Sequence, residues 1–187
     1  MAADAGARHC ITLIGAPGCG KTTLGDALAE LYGLKIADLD REIERIEGCK
    51  VSEIFAAKGE KVFRDIESRV LMEVLDAGYD IVCCGGGTPC FGDNMRIINE
   101  KSTSVYLCCS EERLTERLCL YGASRPLVAG KSRQEIERYV RDLLQKREKY
   151  YKLAAKSFDS SKLESKEEIE CSAKEFHQLV IDRQRII

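Results

Sequence analysis

The sequence of 187 residues carries no large excess of either charge, because 29 Lys and Arg stand against 31 Asp and Glu for a formal net charge of −2. That balance argues against broad electrostatic binding along nucleic acid or an anionic membrane, so any anion has to be held by a local cluster. No uninterrupted apolar stretch approaches the ~20 residues needed to span a bilayer, and Met1 to Arg8 contains no signal-peptide apolar core. The expected compartment is therefore the cytoplasm. Repeats, low-complexity tracts and Pro/Gly/Ser-rich linkers are also lacking, which points to a single domain over residues 1–187 with one active site.

Metal-binding and disulfide spacings are missing as well. The ten cysteines (Cys10, Cys19, Cys49, Cys83, Cys84, Cys90, Cys108, Cys109, Cys119 and Cys171) include no C-x-x-C pair, and His9 and His177 stand apart. Several of these thiols lie within apolar runs, where they act as small hydrophobes, and they are expected to be reduced core residues. Cys19 is the exception, expected to be accessible because it falls inside a glycine loop.

What is present is a recurrence of short apolar runs. Cys10 to Ile14, Leu34 to Ala37, Ile81 to Cys84 and Ser104 to Cys108 are separated by helix-period sequence. Near-continuous apolarity in the first, third and fourth implies strands buried on both faces, as in a parallel sheet with helices on both sides. A fifth strand is expected near Ser157 and Phe158. Helices are expected over Thr22 to Tyr32, Arg41 to Glu47 and about Glu60 to Ala77, ending at Gly33, Gly48 and Gly78. Ser132-x-x-Glu135 reads as a capping box opening a helix toward Ala155, and Ser172-x-x-Glu175 as one opening a last helix. The stretch from about residue 121 to 131 contains Gly122, Pro126 and Gly130 and has neither periodicity. It reads as an exposed, mobile lid.

Gly15-Ala16-Pro17-Gly18-Cys19-Gly20-Lys21-Thr22 is a complete G-x-x-x-x-G-K-[ST] motif lying between an apolar strand and a helix. Glycines let successive N–H groups curl around phosphate oxygens, and the helix N-terminus adds its positive dipole end. Lys21 would reach the β- and γ-phosphates, and the Thr22 hydroxyl would ligate Mg²⁺. The alternative is a glycine turn with a chance lysine. The loop leaves the choice among GTPases, ATPases and kinases open.

Other residues bear on that choice. Asp38-Leu39-Asp40 follows the second strand, so one carboxylate can hold Mg²⁺ through water while the other meets a substrate hydroxyl; helix capping by Asp40 is the structural alternative. In Phe63-Arg64-Asp65-Ile66-Glu67, Arg64 and Glu67 share a helix face, and a fixed guanidinium fork suits a carboxylate; the alternative is a solvated ion pair. Gly85-Gly86-Gly87 ends the third strand, where glycines allow backbone to approach a ligand. No Asp or Glu ends that strand, which leaves Asp38 to serve the metal. Arg125-Pro126-Leu127 lies in the lid, and Arg147 and Tyr151 lie on the helix after it. An arginine carried by a closing loop can neutralise a phosphoryl group in transfer.

As a set, the phosphate loop, D-x-D, F-R-x-x-E, G-G-G, R-P-L and R-x-x-x-Y resemble the shikimate kinase family from about His9 to Tyr151. That resemblance implies an α/β fold of the P-loop NTPase type, a parallel five-stranded sheet flanked by helices with a substrate-binding segment at about 38–70 and a mobile lid. It implies phosphorylation of shikimate by ATP, with Mg²⁺ on Thr22 and Asp38. By it, Asp40, Arg64, Gly85, Gly86, Gly87 and Arg147 would bind shikimate, and Gly18, Cys19, Gly20, Lys21, Thr22, Thr23 and Arg125 would bind ATP. Asp40, Lys21 and Arg125 would carry catalysis. Arg117 is the nearest candidate for the family arginine that packs on adenine, and the tail from Lys156 onward matches the family pattern loosely. The expected partners are ATP and shikimate, without nucleic acid or membrane, for a chain acting as a monomer. Rival readings are a related small-molecule kinase, such as one for gluconate, and a MgATP-binding regulatory module without turnover.

Overall fold

The structure, a computed structural model, describes residues 10–121 and 128–182. Five strands, β1 (Ile11–Ile14), β2 (Ile36–Asp38), β3 (Ile81–Cys83), β4 (Thr103–Cys108) and β5 (Lys156–Asp159), form one sheet in the order β2-β3-β1-β4-β5. Every pairing is parallel, with Ile11 opposite Ile81 on one side and Thr103 on the other. All four residues of β1 are buried, as its apolar sequence requires for a central strand covered on both faces. The chain leaves β1 toward β3 and β2, then returns to the other side for β4 and β5. The C-terminal end of β1 is thus the switch point at which an open parallel sheet forms its crevice.

The helices are α1 (Lys21–Tyr32), α2 (Leu39–Glu47), α3 (Val51–Asp76), α4 (Asn94–Lys101), α5 (Glu111–Tyr121), α6 (Arg133–Tyr151) and α7 (Lys166–Phe176). Gly33 and Gly48 cap α1 and α2 in the left-handed conformation expected of them. The third helix starts earlier than its apolar period suggests. Its first two turns, before Gly59, are held by the Lys50 amide donating to Glu53 at 2.8 Å. Gly59 then breaks the helix with φ 78° and ψ 170°, a conformation that a side chain would strain. The Ser132–Glu135 capping box opens α6 as expected, and α6 ends at Tyr151 rather than Ala155.

Two expectations are corrected. The last helix opens at Ser165, whose hydroxyl accepts from the Glu168 amide, not at Ser172. Ser172 lies on the buried face of α7 and donates to the Lys162 carbonyl at 2.7 Å, so its S-x-x-E spacing is incidental. Cys19 is 1% exposed, because the loop packs its side chain inward against Gly15. Of the ten cysteines, Cys10, Cys83 and Cys84 are buried as well, and all ten are free thiols. Burial raises the Cys83 and Cys84 pKa values far above the ordinary thiol range, as core residues require.

Residues 122–127, the centre of the expected lid, lie outside the described residues, and Arg125 with them. No helix among the described residues is long and apolar enough to cross a membrane.

Candidate active site

The loop from Gly15 to Gly20 leaves the buried end of β1 and turns directly into α1, which places its N–H groups and the helix N-terminus at the sheet switch point. Lys21 is 9% exposed, and its Nζ donates to the Gly15 carbonyl at 2.9 Å and the Ala16 carbonyl at 3.0 Å. The loop thus supplies polar contacts that the ammonium can exchange for phosphate oxygens. Thr22 and Thr23 follow in the first turn of α1, Thr22 half-buried and Thr23 exposed.

The end of β2 brings the D-x-D segment alongside. Asp38 caps α2 by accepting from the Arg41 amide at 3.2 Å, and its other oxygen, Oδ2, accepts from Thr22 Oγ1 at 2.8 Å. Capping therefore belongs to Asp38 and not to Asp40, which sits within the first turn of α2. A hydroxyl and a carboxylate are hard oxygen donors, and the pair suits a cation held mainly by nucleotide phosphates and water. Among the described residues no group of three or more His, Cys, Asp or Glu is placed to hold a metal ion.

Three elements meet at Gly85 to Gly87. A Cβ on Gly85 would lie 3.1 Å from both Asp40 Oδ1 and Glu67 Oε1. One on Gly86 would lie 2.7 Å from Pro17 Cδ in the phosphate loop. One on Gly87 would lie 2.5 Å from Arg64 Nη2. The absence of side chains here lets this end of the crevice close against both the phosphate loop and Arg64.

Glu67 is 1% exposed and holds the arginine in place: Arg64 Nη1 donates to Glu67 Oε2 at 2.7 Å, and Thr88 Oγ1 donates to Glu67 Oε1 at 2.6 Å. Arg64 Nη2 also reaches Glu60 at 3.3 Å. Burial disfavours the charged guanidinium, but the Glu67 and Glu60 carboxylates outweigh it and raise its pKa. Arg147 approaches from α6. Burial raises the Cys90 thiol pKa, while the charges of Arg147 and Arg64 act against it, so both cations are within electrostatic range of Cys90.

Arg117 is buried at 7% exposure, and its guanidinium is engaged on several sides. It donates to Glu164 Oε1 at 2.9 Å, to the Ser160 and Ser161 carbonyls at 2.9 and 3.2 Å, and to the Gly18 carbonyl at 3.4 Å. It therefore ties the phosphate loop to the segment between β5 and α7. Thr88, Glu164 and Pro17 are site residues that the motifs do not single out. Thr88 directly follows the triple glycine, whereas Glu164 is 47 residues from Arg117 and has no local signal.

A phosphate-binding loop with a hydroxyl–carboxylate pair at its mouth, closed at the far end by an arginine that a buried carboxylate fixes, is the working arrangement of a P-loop kinase for small anionic acceptors. Comparison with known proteins narrows this class. The model of the shikimate kinase family matches residues 17–178. A shikimate kinase of Parabacteroides distasonis is 42% identical over 153 residues, which is 82% of this chain and 88% of that protein. The crystal structure of shikimate kinase from Bacteroides thetaiotaomicron is 35% identical with a TM-score of 0.86, covering 92% of this chain and 98% of that one. Shikimate kinase from Acinetobacter baumannii, solved in complex with shikimate, is 31% identical with a TM-score of 0.80 and covers 94% of each chain. The chain belongs to the shikimate kinase family.

Proposed function

We propose that this chain transfers the γ-phosphoryl group of ATP to the 3-hydroxyl of shikimate, giving ADP and 3-phosphoshikimate in aromatic amino-acid biosynthesis, in the cytoplasm and with Mg²⁺. The observation that carries this reading is the Arg64 fork, fixed by the buried Glu67 and pressed against Gly87, next to the phosphate loop. A guanidinium held in one orientation is made for a planar carboxylate.

In this reading the shikimate carboxylate lies between Arg64 and Arg147, with the ring over Gly85 to Gly87. Asp40 orients the attacking hydroxyl and takes its proton. Lys21 exchanges the Gly15 and Ala16 carbonyls for β- and γ-phosphate oxygens, and Arg125 of the lid joins it on the transferring group. Thr22 and Asp38 would hold Mg²⁺, which supplies charge neutralisation along the phosphates. Gly18, Cys19, Gly20 and Thr23 line the phosphate site through their backbone or first-turn position, and Arg117 fixes the loop that faces the base. Positioning and charge neutralisation carry the acceleration, because phosphoryl transfer asks little covalent chemistry of the protein.

The test is ADP release with MgATP over a panel of hydroxy acids that includes shikimate and gluconate. Turnover that depends on shikimate supports the reading. Turnover only with gluconate, or nucleotide binding without any acceptor-dependent turnover, overturns it.

A further inference from the structure

Tyr151 is the last residue of α6, and it is completely buried. Its ring stacks on Tyr106 of β4, with centroids 5.3 Å apart, and its hydroxyl donates to the Gly86 carbonyl at 2.5 Å. The other side of Gly86 is filled by Pro17 of the phosphate loop. Gly86 is thus gripped between the phosphate loop and a phenol delivered from a helix 65 residues away.

We infer that Tyr151 is a positioning residue for the acceptor subsite, whose hydroxyl sets the direction of the Gly86 peptide and thereby the backbone that the acceptor packs against. A triple glycine has the most conformational freedom to lose, so it cannot hold a ligand-facing geometry by itself. On this strand end the missing constraint comes from outside: Pro17 blocks one side, Arg64 lies on Gly87, and Tyr151 fastens the carbonyl between them. The stack on Tyr106 fixes the ring, so the hydroxyl has one direction in which to donate. Burial raises the phenol pKa above its ordinary value, while Arg147 works in the opposite direction, so the group stays protonated and remains a donor through the neutral range.

Arg147 precedes Tyr151 by one helical turn and shares its face. The same turn of α6 therefore carries an anion-binding arginine and the phenol that fixes the opposing backbone. A shift of α6 would move both together, which couples acceptor binding to the position of that helix. This inference rests on the acceptor site proposed above.

The experiment is Tyr151→Phe, which keeps the ring and its stack and removes only the hydroxyl. The expected result is a roughly tenfold rise in KM for shikimate with KM for ATP unchanged, the size set by one buried hydrogen bond. Combined with Arg147→Lys, the loss should be less than the product of the two single effects, because both act on one subsite. Unchanged shikimate KM, or equal rises in both Michaelis constants, would overturn the inference, the second by making the role merely structural. Amide exchange in the ligand-free protein provides an arm that needs no turnover. The amides of Thr88 and Cys90, which bond the Gly85 and Gly87 carbonyls, should exchange faster in the variant. Unchanged exchange would overturn the inference even if the parent protein proved inactive on shikimate, an outcome that would separately overturn the proposed function.

Discussion

Thr22 Oγ1 donates to Asp38 Oδ2 at 2.8 Å, joining the first turn of α1 to the end of β2 by a single hydrogen bond. The other carboxylate oxygen of Asp38 caps α2. One side chain thus anchors a helix and offers charge to the mouth of the phosphate loop, and the two roles can be separated. Asp38→Asn retains an oxygen for the Arg41 amide, so its thermal midpoint should stay near that of the parent. Its catalytic efficiency should fall by roughly 10- to 100-fold and its Mg²⁺ requirement should rise. Asp38→Ala should lose the cap as well, about 1 kcal/mol. Magnesium titrations of activity beside melting curves measure both, and an unchanged Mg²⁺ requirement in Asp38→Asn would remove Asp38 from the metal site.

Gly87→Ala tests the closed end of the crevice. The new methyl would lie 2.5 Å from Arg64 Nη2 and 2.8 Å from Nη1, so the guanidinium has to move away from the Glu67 carboxylate that fixes it. Shikimate KM should rise at least about tenfold with ATP KM near normal, the effect of losing one charge-assisted contact. A variant with parental shikimate KM would show that the fork orientation does not matter.

Asp40→Asn separates chemistry from stability more cleanly than the sequence suggests. Because Asp38 is the cap, Asp40→Asn removes no helix cap, and losing a carboxylate from the first turn of α2 costs about 0.3–1 kcal/mol. The melting temperature should therefore change little, while kcat should fall by roughly 10²- to 10⁴-fold if the carboxylate takes the proton of the attacking hydroxyl. Full activity in a folded Asp40→Asn protein would return Asp40 to a structural role.

The Arg117–Glu164 pair gives stability an acid limb. Burial tends to raise the Glu164 pKa, but the Arg117 guanidinium outweighs it and holds the carboxyl below its ordinary value. A carboxyl depressed in the folded state contributes above its unfolded pKa, near about 4.3, and loses that contribution as pH falls through the folded value. Melting temperature should therefore drop more steeply below about pH 4 in the parent than in Glu164→Gln. Parallel profiles would mean that the pair adds nothing to the attachment of this segment.

The strands and the phosphate loop were legible because their cause is local. β1, β3 and β4 are nearly continuously apolar since both faces are covered, and the loop motif lies between its strand and helix as the chemistry requires. β5 was faint because an edge strand needs only Phe158 to be buried. The helical turns from Val51 to Lys58 were not visible, since Gly59 interrupts the period and most of these residues are exposed. Arg64 and Glu67 could be paired by their helix spacing, but the burial of Glu67 depends on Thr88, 21 residues later. Tyr151 was legible as the tyrosine of R-x-x-x-Y, and Arg117 only as the nearest arginine before R-P-L. Their partners Glu164 and Gly86 lie 47 and 65 residues away, and only the folded topology brings them together.

The most direct test of the central claim is identification of the product made from shikimate and MgATP by the purified protein, with Lys21→Ala run in parallel. Mass spectrometry and phosphorus NMR should find a phosphate monoester on the 3-hydroxyl, formed in equal amount to ADP, and should find almost none with Lys21→Ala, which lacks the ammonium that would meet the phosphates. ADP and free phosphate without the monoester, or equal product from a folded Lys21→Ala protein, would contradict the account.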